Sequence, residues 1–592
     1  MSEYRFPYKD AAFLMNDVLD FDQRCVNAGL EDVNAELATA ILEEAGRLGS
    51  EVFAPLNSTG DNEGASLGEN GVQETPGFKD AYRQYVDNGW ASLAAEEQYG
   101  GQNMPRMLAA AVVEIWDSSN LGLSLCPLLT TGAVESILAH GSDELKDAYL
   151  PNMVSGEWSG SMCLTEPAAG SDLAAVSSKA VPEGDHYLIT GQKIFITWGD
   201  HQMTDNIVHL VLARLPDAPA GVKGISLFLV PKFLLDENGQ PGERNDAYCV
   251  GVEHKLGIHG SPTCTMNFGD NGGAIGYLIG KAHNGLMAMF TMMNEARQGV
   301  GIQSLGVSER SYQEALAYAK ERLQGTRSDG TRYPIIEFPD VRRMLMLMKS
   351  VTEAMRGLIY IAAAEADLVR AAKSPEEAAK HASRNALYTP IVKGWISELA
   401  QEITSYGIQI HGGMGYIEET GIAQHYRDAR ILTIYEGTTG IQGLDMVGRK
   451  TLGDNGEALR ELLDEMQVTA DGLAAVESLA GMADSLTQAV NAGAEARQWL
   501  LDNATKDVHT AGGASVNFMM LFGYICGGWV MAQSMLKATA LLEAGGGDTA
   551  FLEAKQITVQ FYFDHWLPRA ESCLAVLKTG SDSIMALDIE QF

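Results

Sequence analysis

One glutamate of this chain directly follows an apolar run, where a carboxylate can become a proton acceptor. Glu436 ends the segment Ile-Leu-Thr-Ile-Tyr-Glu (431–436) and precedes Gly437. Removal of a carboxylate from water raises its pKa toward neutrality, which suits it to act as a general base. A glutamate is also favoured at a helix N-terminus, and the local sequence alone favours that simpler interpretation. The segment therefore supplies a candidate base and leaves the helix-start alternative open.

Small residues and hydroxyl groups are concentrated in a second segment, Met-Cys-Leu-Thr-Glu-Pro-Ala-Ala-Gly-Ser-Asp (162–172). Thr165 and Ser171 could donate hydrogen bonds, and the Ala-Ala-Gly backbone would let a flat ring or a phosphate approach its N–H groups. Proline, glycine and aspartate also make ordinary turns, so a turn explains the composition equally well. Both interpretations stay open for this segment.

Two further segments are informative only in combination with the others. Residues 192–198, Gln-Lys-Ile-Phe-Ile-Thr-Trp, alternate as a strand and should place Phe195 and Thr197 on the same face. An aromatic ring beside a hydroxyl suits one side of a flavin, although half-buried strands commonly have this pattern. Residues 409–416, Gln-Ile-His-Gly-Gly-Met-Gly-Tyr, contain three glycines that are typical of a helix C-cap.

Taken in this order, the segments resemble those of the acyl-CoA dehydrogenases over about residues 35–450. Residues 164–172 are similar to the family signature that precedes its β-domain, and residues 434–442 to the signature around its catalytic base. The resemblance implies an FAD enzyme in which Glu436 removes the α-proton of an acyl-CoA thioester. The β-hydrogen passes as hydride to flavin N5, and the product is a trans-2-enoyl-CoA.

The resemblance also implies which residues contact the two ligands. The FAD contacts carried over are Met162, Leu164, Thr165, Gly170, Ser171, Phe195, Thr197, Arg322, Gln324, Gly325, Gln409, Gly412, Gly413 and Thr438. Thr165 and Thr197 would donate to the flavin ring, whereas the residues from 322–325 and 409–413 would hold the pyrophosphate of a partner subunit's FAD. The acyl-CoA contacts carried over are Ser171, Asn294, Arg297 and Gly437.

Three sites, which comprise four residues, differ from the short-chain members of the family. Phe195 stands where those members have Trp, Gly440 where they have Gln, and Phe338-Pro339 where they have a His-Gln pair. The last two differences affect the positions from which the resemblance would carry over adenine contacts of FAD, so those contacts are not carried over, whereas the flavin-ring residues are in place. The insertion 328–336 and the extra C-terminal segment match longer bacterial members, which implies 3-(methylthio)propanoyl-CoA or a similar short- to medium-chain thioester as substrate.

Some family members carry the base on an earlier helix of the bundle, immediately before the arginine that matches Arg297. That position is Ala296 in this chain, and Glu295 lies one residue further back. On a helix one residue corresponds to a rotation of about 100°, which would turn Glu295 away from the substrate. The sequence therefore favours Glu436 as the base.

The hydrophobic pattern of the sequence predicts the helices and strands that must position these residues. Apolar residues recur at helical spacing before about residue 158, short β-rich runs follow, and helical periodicity returns at about residue 282. We predict an α+β multidomain protein with an N-terminal helical domain (1–157), a β-domain (158–281), a helical bundle with the candidate base (282–449) and a C-terminal helical extension (450–592). The resemblance makes the β-domain barrel-like and the bundle four-helical, with FAD between them and across a subunit boundary.

The stretch 510–536 has no formal charge and is long enough to span a bilayer. Gly523, Gly527 and Gly528 interrupt it, and Asn517 and Gln533 lie inside it. These residues favour a helix buried in a bundle over a membrane-contacting surface, which is the alternative.

The charge of the 592-residue chain limits the kinds of partner that it can bind, and its N-terminus and cysteines indicate where it is located. Its 42 basic and 77 acidic residues give a formal charge of −35, which would repel a phosphate backbone, so we expect no nucleic-acid partner. The N-terminus lacks the layout of a secretory signal. Seven scattered cysteines without a CxxC pair fit reduced thiols and no metal site. We therefore expect a cytoplasmic protein.

The family resemblance implies two kinds of protein partner. One is a second copy of the chain, in a homodimer or a dimer of dimers, and the other is an electron-transfer flavoprotein as electron acceptor. The alternatives to this function are an acyl-CoA oxidase that uses O2 and a non-catalytic, flavin-containing homologue that binds nucleic acid. The charge of −35 and the presence of Glu436 oppose the last alternative.

Overall fold

The computed structural model describes residues 3–592, and the chain divides into two compact units. Of the described residues, the bundle unit contains 3–46, Pro105–Ser118 and Val300–Phe592. The sheet unit contains Arg47–Met104 and Ser119–Gly299. N-terminal helices thus join the same unit as the C-terminal extension. The four-domain division of the sequence stays a prediction.

The sheet unit is built around an eight-stranded sheet. The strands of the whole sheet unit, in chain order, are β1 (Ser66–Gly68), β2 (Gly71–Gln73), β3 (Trp158–Cys163), β4 (Lys179–Glu183), β5 (His186–Thr197), β6 (Asn206–Arg214), β7 (Ile225–Pro231), β8 (Phe233–Leu235), β9 (Pro241–Arg244), β10 (Ala247–Val252), β11 (Thr263–Phe268) and β12 (Ala274–Ile279). Neighbours in the large sheet follow the order β10, β11, β5, β12, β7, β6 and β3. Because β4 pairs with both β5 and β6, the strands β5, β12, β7, β6 and β4 close into a ring. The predicted barrel-like β-domain is confirmed.

Burial on both faces explains the apolar runs of the central strands. β7 is buried at every position and β6 at all but its last, which is typical of strands that are covered on both sides. Phe228 of β7 packs with Ile189 on one face. Its neighbour Leu229 packs with Leu210 on the other face, in a core shared with the helix Leu121–His140.

Helices cover the sheet unit and make up most of the bundle unit. The sheet unit has the helices Asn57–Glu63, Phe78–Asp87, Leu121–His140 and Asp143–Ser155. The bundle unit has Tyr8–Ala12, Phe21–Asn27, Pro339–Ala371, Pro375–Pro390, Ile396–His411, Ile422–Ala429, Thr439–Gly448, Glu457–Ala474, Ala480–Asn503, Thr510–Glu543, Thr549–His565 and Arg569–Leu577, together with the hairpin of β13 (Leu323–Thr326) and β14 (Arg332–Pro334). Ala35–Leu48, Arg106–Ser119 and Gly285–Glu321 contribute residues to both units. The predicted α+β class is confirmed.

The predicted buried helix forms as Thr510–Glu543. Glycine allows its close packing, because an added Cβ at Gly523 would lie 2.1 Å from the Trp395 ring and one at Gly527 would lie 2.2 Å from the Tyr562 hydroxyl. In its most apolar 18-residue window, 83% of the residues are buried. The helix Leu121–His140 is also long and apolar enough for a membrane span, with 72% buried, and the sequence analysis did not single it out.

Buried charges connect distant parts of the bundle unit. Arg356 is 1% exposed, and its guanidinium donates to Asp10, to Glu114 at 2.7 Å and to Glu309 at 2.8 Å. These partners come from the N-terminal segment and from two separate helices. A charge removed from water is tolerated when it is paired and hydrogen-bonded, so the arginine requires all of these segments to pack together.

A second buried cation extends this cluster to the C-terminal extension. Lys555 is 2% exposed, and its ammonium binds both Asp10 and Glu353. Burial alone would raise the pKa of Asp10, but Lys555 and Arg356 outweigh this effect and lower the pKa to about 2. Asp10 is therefore ionised and accepts from both cations.

We predict that Lys555→Met destabilises the protein by about 3–5 kcal/mol, because it leaves two carboxylates buried without this cation. Chemical denaturation monitored by circular dichroism measures the change. The control is Lys578→Met, which removes an ion pair with Glu495 on the surface and should cost less than about 1 kcal/mol. Equal stability of the two variants would contradict a structural role for the buried pair.

Candidate active site

The predicted base lies on a strained turn of the bundle unit. Glu436 has φ +56° and Gly437 has φ +92°, in the connection between the short helical turn Arg430–Thr433 and the helix Thr439–Gly448. Left-handed backbone costs a residue with a Cβ about 1–2 kcal/mol, and such strain is concentrated at functional sites. Thr438 is the N-cap of the following helix. Glu436 precedes that cap, so it does not start the helix as the alternative interpretation proposed.

Side-chain hydrogen bonds hold this turn. The Gln442 Nε2 donates to the carbonyl oxygens of Glu436 at 3.1 Å and of Gly437 at 3.2 Å. A Cβ at position 437 would lie 2.8 Å from the same Nε2, so the turn requires glycine there. The Tyr435 hydroxyl donates to the Gln303 Oε1. The turn is thus fixed from both sides of the base.

Electrostatics keeps Tyr435 a neutral hydrogen-bond donor. Burial raises the pKa of Tyr435 well above its ordinary value, and the negative charges of Asp117 and Glu436 raise it further. The Glu436 side chain itself is partly exposed and is not enclosed by the apolar run that precedes it. The sequence predicted a desolvated carboxylate, whereas in the structure the carboxylate lies at the edge of the buried region around Tyr435.

In the sheet unit, two of the predicted flavin segments come together. The Ile194 N–H donates to the Thr165 carbonyl oxygen at 2.9 Å, which places 162–172 beside β5. Phe195 is 58% exposed and has φ +60°, whereas the next residue, Ile196, is buried. β5 carries an extra residue here relative to β11, and such a bulge redirects side chains. Phe195 and Thr197 do flank a buried residue, as alternation predicts, but on an irregular strand.

A buried ion pair fixes the first of these segments. The Lys193 Nζ donates to the Leu164 carbonyl oxygen at 3.1 Å and to the Glu166 Oε1 at 2.7 Å. The carboxylate also accepts from the backbone N–H and hydroxyl groups of Ser177 and Ser178. Burial alone would raise the pKa of Glu166, but Lys193 and the serine hydroxyls outweigh it and lower the pKa to about 2. The segment is more than an ordinary turn, because its carboxylate anchors it to the sheet.

The groups around this segment fit a flat, polar cofactor ring. The exposed Phe195 ring offers an aromatic face, and the neighbouring hydroxyls of Thr165 and Thr197 make no hydrogen bond with any residue in 3–592. An added Cβ at Gly170 meets nothing within 4 Å, so the backbone is open there. Free hydroxyl donors beside an aromatic face are the chemistry that a flavin requires. Of the other predicted contacts here, Ser171 is exposed, Met162 is half-buried and Leu164 is buried in the core.

The predicted pyrophosphate residues lie on two surface features of the bundle unit. Arg322 precedes β13, where Gln324 is exposed and Gly325 is buried under the Tyr333 ring. Gln409 is exposed in the last turn of the helix Ile396–His411. Gly412 is the C-cap of that helix with φ +61°, so the simple interpretation of these glycines is also correct. An added Cβ at Gly412 or Gly413 meets nothing within 4 Å, which leaves the backbone accessible to an anion.

The predicted substrate residues differ in exposure. Asn294 is exposed, whereas Arg297 is 3% exposed with its guanidinium 5.9 Å from the centre of the Phe290 ring. Glu295 is half-buried on the same helix. Ser171 is exposed and Gly437 lies half-buried in the strained turn. Within residues 3–592, no three His, Cys, Asp or Glu side chains are arranged to hold a metal ion.

Sequence reasoning missed the residues that support the site. Gln442 lies inside a quoted signature, but nothing in its spacing marks it as a partner of Glu436. Lys193 carried a clearer signal, because a lysine within an otherwise apolar strand needs a buried carboxylate or a route to water. Glu166 and Asp172 were the two carboxylates in the segment 162–172, and the structure pairs Lys193 with Glu166.

Comparison with known proteins covers almost the whole chain. Four domain families match in succession: Acyl-CoA dehydrogenase, N-terminal domain (61–157); Acyl-CoA dehydrogenase, middle domain (161–271); Acyl-CoA dehydrogenase, C-terminal domain (283–451); and Acetyl-CoA dehydrogenase C-terminal like (462–588).

Individual relatives extend over the full length. A 3-methylmercaptopropionyl-CoA dehydrogenase of Ruegeria pomeroyi is 44% identical over 593 residues, which cover 99% of this chain and 100% of the relative. A broad-specificity linear acyl-CoA dehydrogenase of Mycobacterium tuberculosis is 35% identical over 616 residues and 100% of both chains. The solved structure of an acyl-CoA dehydrogenase from Bacillus anthracis, complexed with FAD, matches with a TM-score of 0.73 and 22% identity over 92% of this chain and 88% of that chain. This last match shows a shared fold.

We predict that Lys193→Met destabilises the sheet unit by about 3–5 kcal/mol, because the Glu166 carboxylate stays buried without its cation. Because the folded-state pKa of Glu166 is about 2 and its ordinary value is 4.5, its contribution to stability is complete above about pH 4.5 and is lost as the pH falls toward 2. The stability difference between wild type and variant should therefore shrink in that window. Urea denaturation at a series of pH values measures it.

The control for this test is Lys179→Met, which changes an exposed lysine on β4. Its effect should stay within about 0.5 kcal/mol at every pH. A Lys193→Met variant as stable as this control at neutral pH would show that the ammonium does not hold the segment.

Proposed function

Because the chain belongs to the acyl-CoA dehydrogenase family, we propose that it oxidises an acyl-CoA thioester to the trans-2-enoyl-CoA with FAD. The observation that carries this proposal is the turn at Glu436. It sets a carboxylate on left-handed backbone, held by the buried Gln442 amide, at the position that the family resemblance gives to the base. Left-handed backbone at Glu436 costs free energy, and strain of this kind at a single carboxylate is consistent with catalysis there.

The proposed substrate is 3-(methylthio)propanoyl-CoA or a similar short- to medium-chain thioester. The full-length relative from Ruegeria pomeroyi, which is named for this acyl group, supports it at 44% identity. The Mycobacterium tuberculosis relative is named for broad specificity toward linear chains. A methylthio-propanoyl group and a pentanoyl group have nearly the same shape, and pockets discriminate weakly between such chains. Turnover across a panel of acyl-CoA thioesters decides between them.

In the proposed reaction, the Glu436 carboxylate takes the α-proton of the thioester as the β-hydrogen leaves with its electron pair. Bound FAD supplies the acceptor for that hydride. Negative charge develops on the thioester carbonyl oxygen, and the backbone N–H of Glu436 donates to it. The proton stays on Glu436 until product leaves. The chain thus contributes the base, the donor to the oxygen and the alignment of both.

The residues proposed to hold FAD are those whose groups are open to a ligand. Thr165 and Thr197 donate to the flavin ring beside Phe195. Arg322 and the backbone of Gly412 and Gly413 bind the pyrophosphate of the partner subunit's FAD, as phosphate groups prefer guanidinium and free N–H donors. This arrangement requires a homodimer or a dimer of dimers.

The electron acceptor separates this proposal from its close rival. A dehydrogenase passes electrons to an electron-transfer flavoprotein, whereas an acyl-CoA oxidase passes them to O2. Rapid peroxide formation with substrate in air would favour the oxidase. A non-catalytic homologue that binds nucleic acid is a more distant rival, and a formal charge of −35 disfavours such binding. A salt-dependent mobility shift of DNA in the presence of the protein would favour this rival.

We predict that Glu436→Gln lowers the rate of anaerobic flavin bleaching by substrate at least about 10²- to 10⁴-fold, because a positioned general base contributes that much. The variant should keep its flavin and its circular dichroism spectrum. Bleaching without O2 isolates the chemical half-reaction from electron transfer to a partner.

The matched control is Glu295→Gln, which removes the carboxylate next to the alternative base position. Its rate should change by less than about tenfold. Bleaching of the Glu436 variant at nearly the wild-type rate would show that the base is wrongly assigned, and Glu295 would then be tested first.

We predict that Arg322→Ala lowers the FAD content of the purified protein, because it removes a guanidinium proposed to bind the pyrophosphate. The absorbance ratio of flavin to protein after gel filtration measures the content, and light scattering gives the oligomeric state of the wild type. Arg327→Ala, which removes an ion pair with Glu337 just beyond β13, is the control and should keep its flavin. A colourless monomeric wild type would contradict both the cofactor site and the subunit arrangement.

A further inference from the structure

We propose that Gln442 is a positioning residue for the base, an inference that rests on the dehydrogenation proposed above. Gln442 is fully buried, and its amide nitrogen lies within hydrogen-bond distance of two successive carbonyl oxygens, those of Glu436 and Gly437. An amide NH2 group carries two hydrogens, so it can donate one to each oxygen. These bonds join the side chain to the two residues of the turn that have positive φ.

The backbone conformation of Glu436 determines where its carboxylate points. The φ angle fixes the direction of the Cα–Cβ bond, and a residue with a Cβ prefers negative φ when nothing restrains it. Gly437 provides no restraint of its own, because glycine adopts positive and negative φ about equally. The left-handed turn therefore depends on contacts, and the two bonds from Gln442 act directly on its carbonyls.

The donor is itself rigidly placed. Gln442 lies in the first turn of the helix Thr439–Gly448, next to Ile441, whose N–H donates to the cap Thr438. The Gln442 Cβ lies 3.3 Å from the position of an added Cβ at Gly394. A Cβ at Gly443 would lie 2.8 Å from the carbonyl carbon of Ser515, in the helix Thr510–Glu543. A residue held this closely on both sides can transmit its position to the turn.

The alternative role for Gln442 is to satisfy two carbonyls without affecting the carboxylate. That role predicts a less stable protein whose bound flavin is bleached at the normal rate. A positioning role predicts slower proton removal in protein that is folded, retains flavin and binds substrate normally. The rate of bleaching and the dissociation constant of the substrate therefore separate the two roles.

The experiment uses Gln442→Met in the holoenzyme, since methionine has a similar volume and donates no hydrogen bond. With the acyl-CoA that turns over fastest, we expect anaerobic bleaching to slow by about 10- to 100-fold, the effect of a small misplacement of a reacting group. The substrate dissociation constant should stay unchanged. Gln313→Met is the control, because Gln313 donates to the Arg5 carbonyl oxygen at 2.7 Å elsewhere in the bundle unit, and its bleaching rate should match wild type.

A second variant, Gln442→Glu, tests the hydrogen bond itself and covers the case in which the methionine variant does not fold. An ionised carboxylate cannot donate to a carbonyl, whereas a protonated one can donate once. The bleaching rate of this variant, divided by the wild-type rate at the same pH, should rise as the pH falls. The corresponding ratio for Gln442→Met should not change with pH.

Two results would overturn the positioning role. One is bleaching of Gln442→Met close to the wild-type rate, and the other is a pH-independent rate ratio for Gln442→Glu. If no acyl-CoA thioester bleaches the wild-type flavin, the dehydrogenation proposal itself fails, and Gln442 then has no base to position.

Discussion

The Arg356 guanidinium is removed from water, and its charge has to be balanced inside the bundle unit. Its partners Asp10, Glu114 and Glu309 are far apart in sequence, and Lys555 shares Asp10 with it. A buried ion whose partner is missing costs several kcal/mol, so none of these segments can leave without a large penalty. This requirement explains why the N-terminal helices and the C-terminal extension belong to one compact unit.

Buried polar groups are also found near the two parts of the candidate site. Glu436 and Phe195 both have left-handed backbone, which a residue with a Cβ avoids unless its surroundings impose it. A fully buried nitrogen donor lies near each of them: Gln442 donates to the carbonyl oxygens of Glu436 and Gly437, and Lys193, two residues before Phe195, donates to Leu164 and Glu166. The two strained residues remain partly exposed, while the two donors are buried in the core.

The sequence predicted the large features because they depend on local patterns. Apolar periodicity indicated the helices, β-rich runs indicated the sheet, and glycines within 510–536 indicated a helix in close contact with its neighbours rather than with lipid. Glu436 was singled out as the candidate base because the signature around it is contiguous in the sequence. Each of these patterns lies within one segment of the chain, so it can be recognised without knowledge of the contacts between segments.

The rest depended on contacts between segments. The β5 bulge at Phe195 exists relative to β11, and no pattern within 192–198 encodes it. Gln442 and Glu436 are close in sequence, but their bond requires a left-handed turn that residue types do not specify. The pairing of Asp10 with Lys555 joins the two ends of the chain and has no sequence signal at all.

The helix Thr439–Gly448, which follows the candidate base, packs directly on the helix Thr510–Glu543. Gly443 approaches the backbone at Ser515, and Gly523 accommodates the Trp395 ring with no room for a methyl group. The C-terminal extension thus packs directly against the helix that carries Gln442, so the two segments are not independent modules. A chimera in which another protein supplies the C-terminal extension would keep the turn at Glu436 only if the residues that contact Gly443 and the glycine that faces Trp395 were preserved. The two segments must therefore have evolved together.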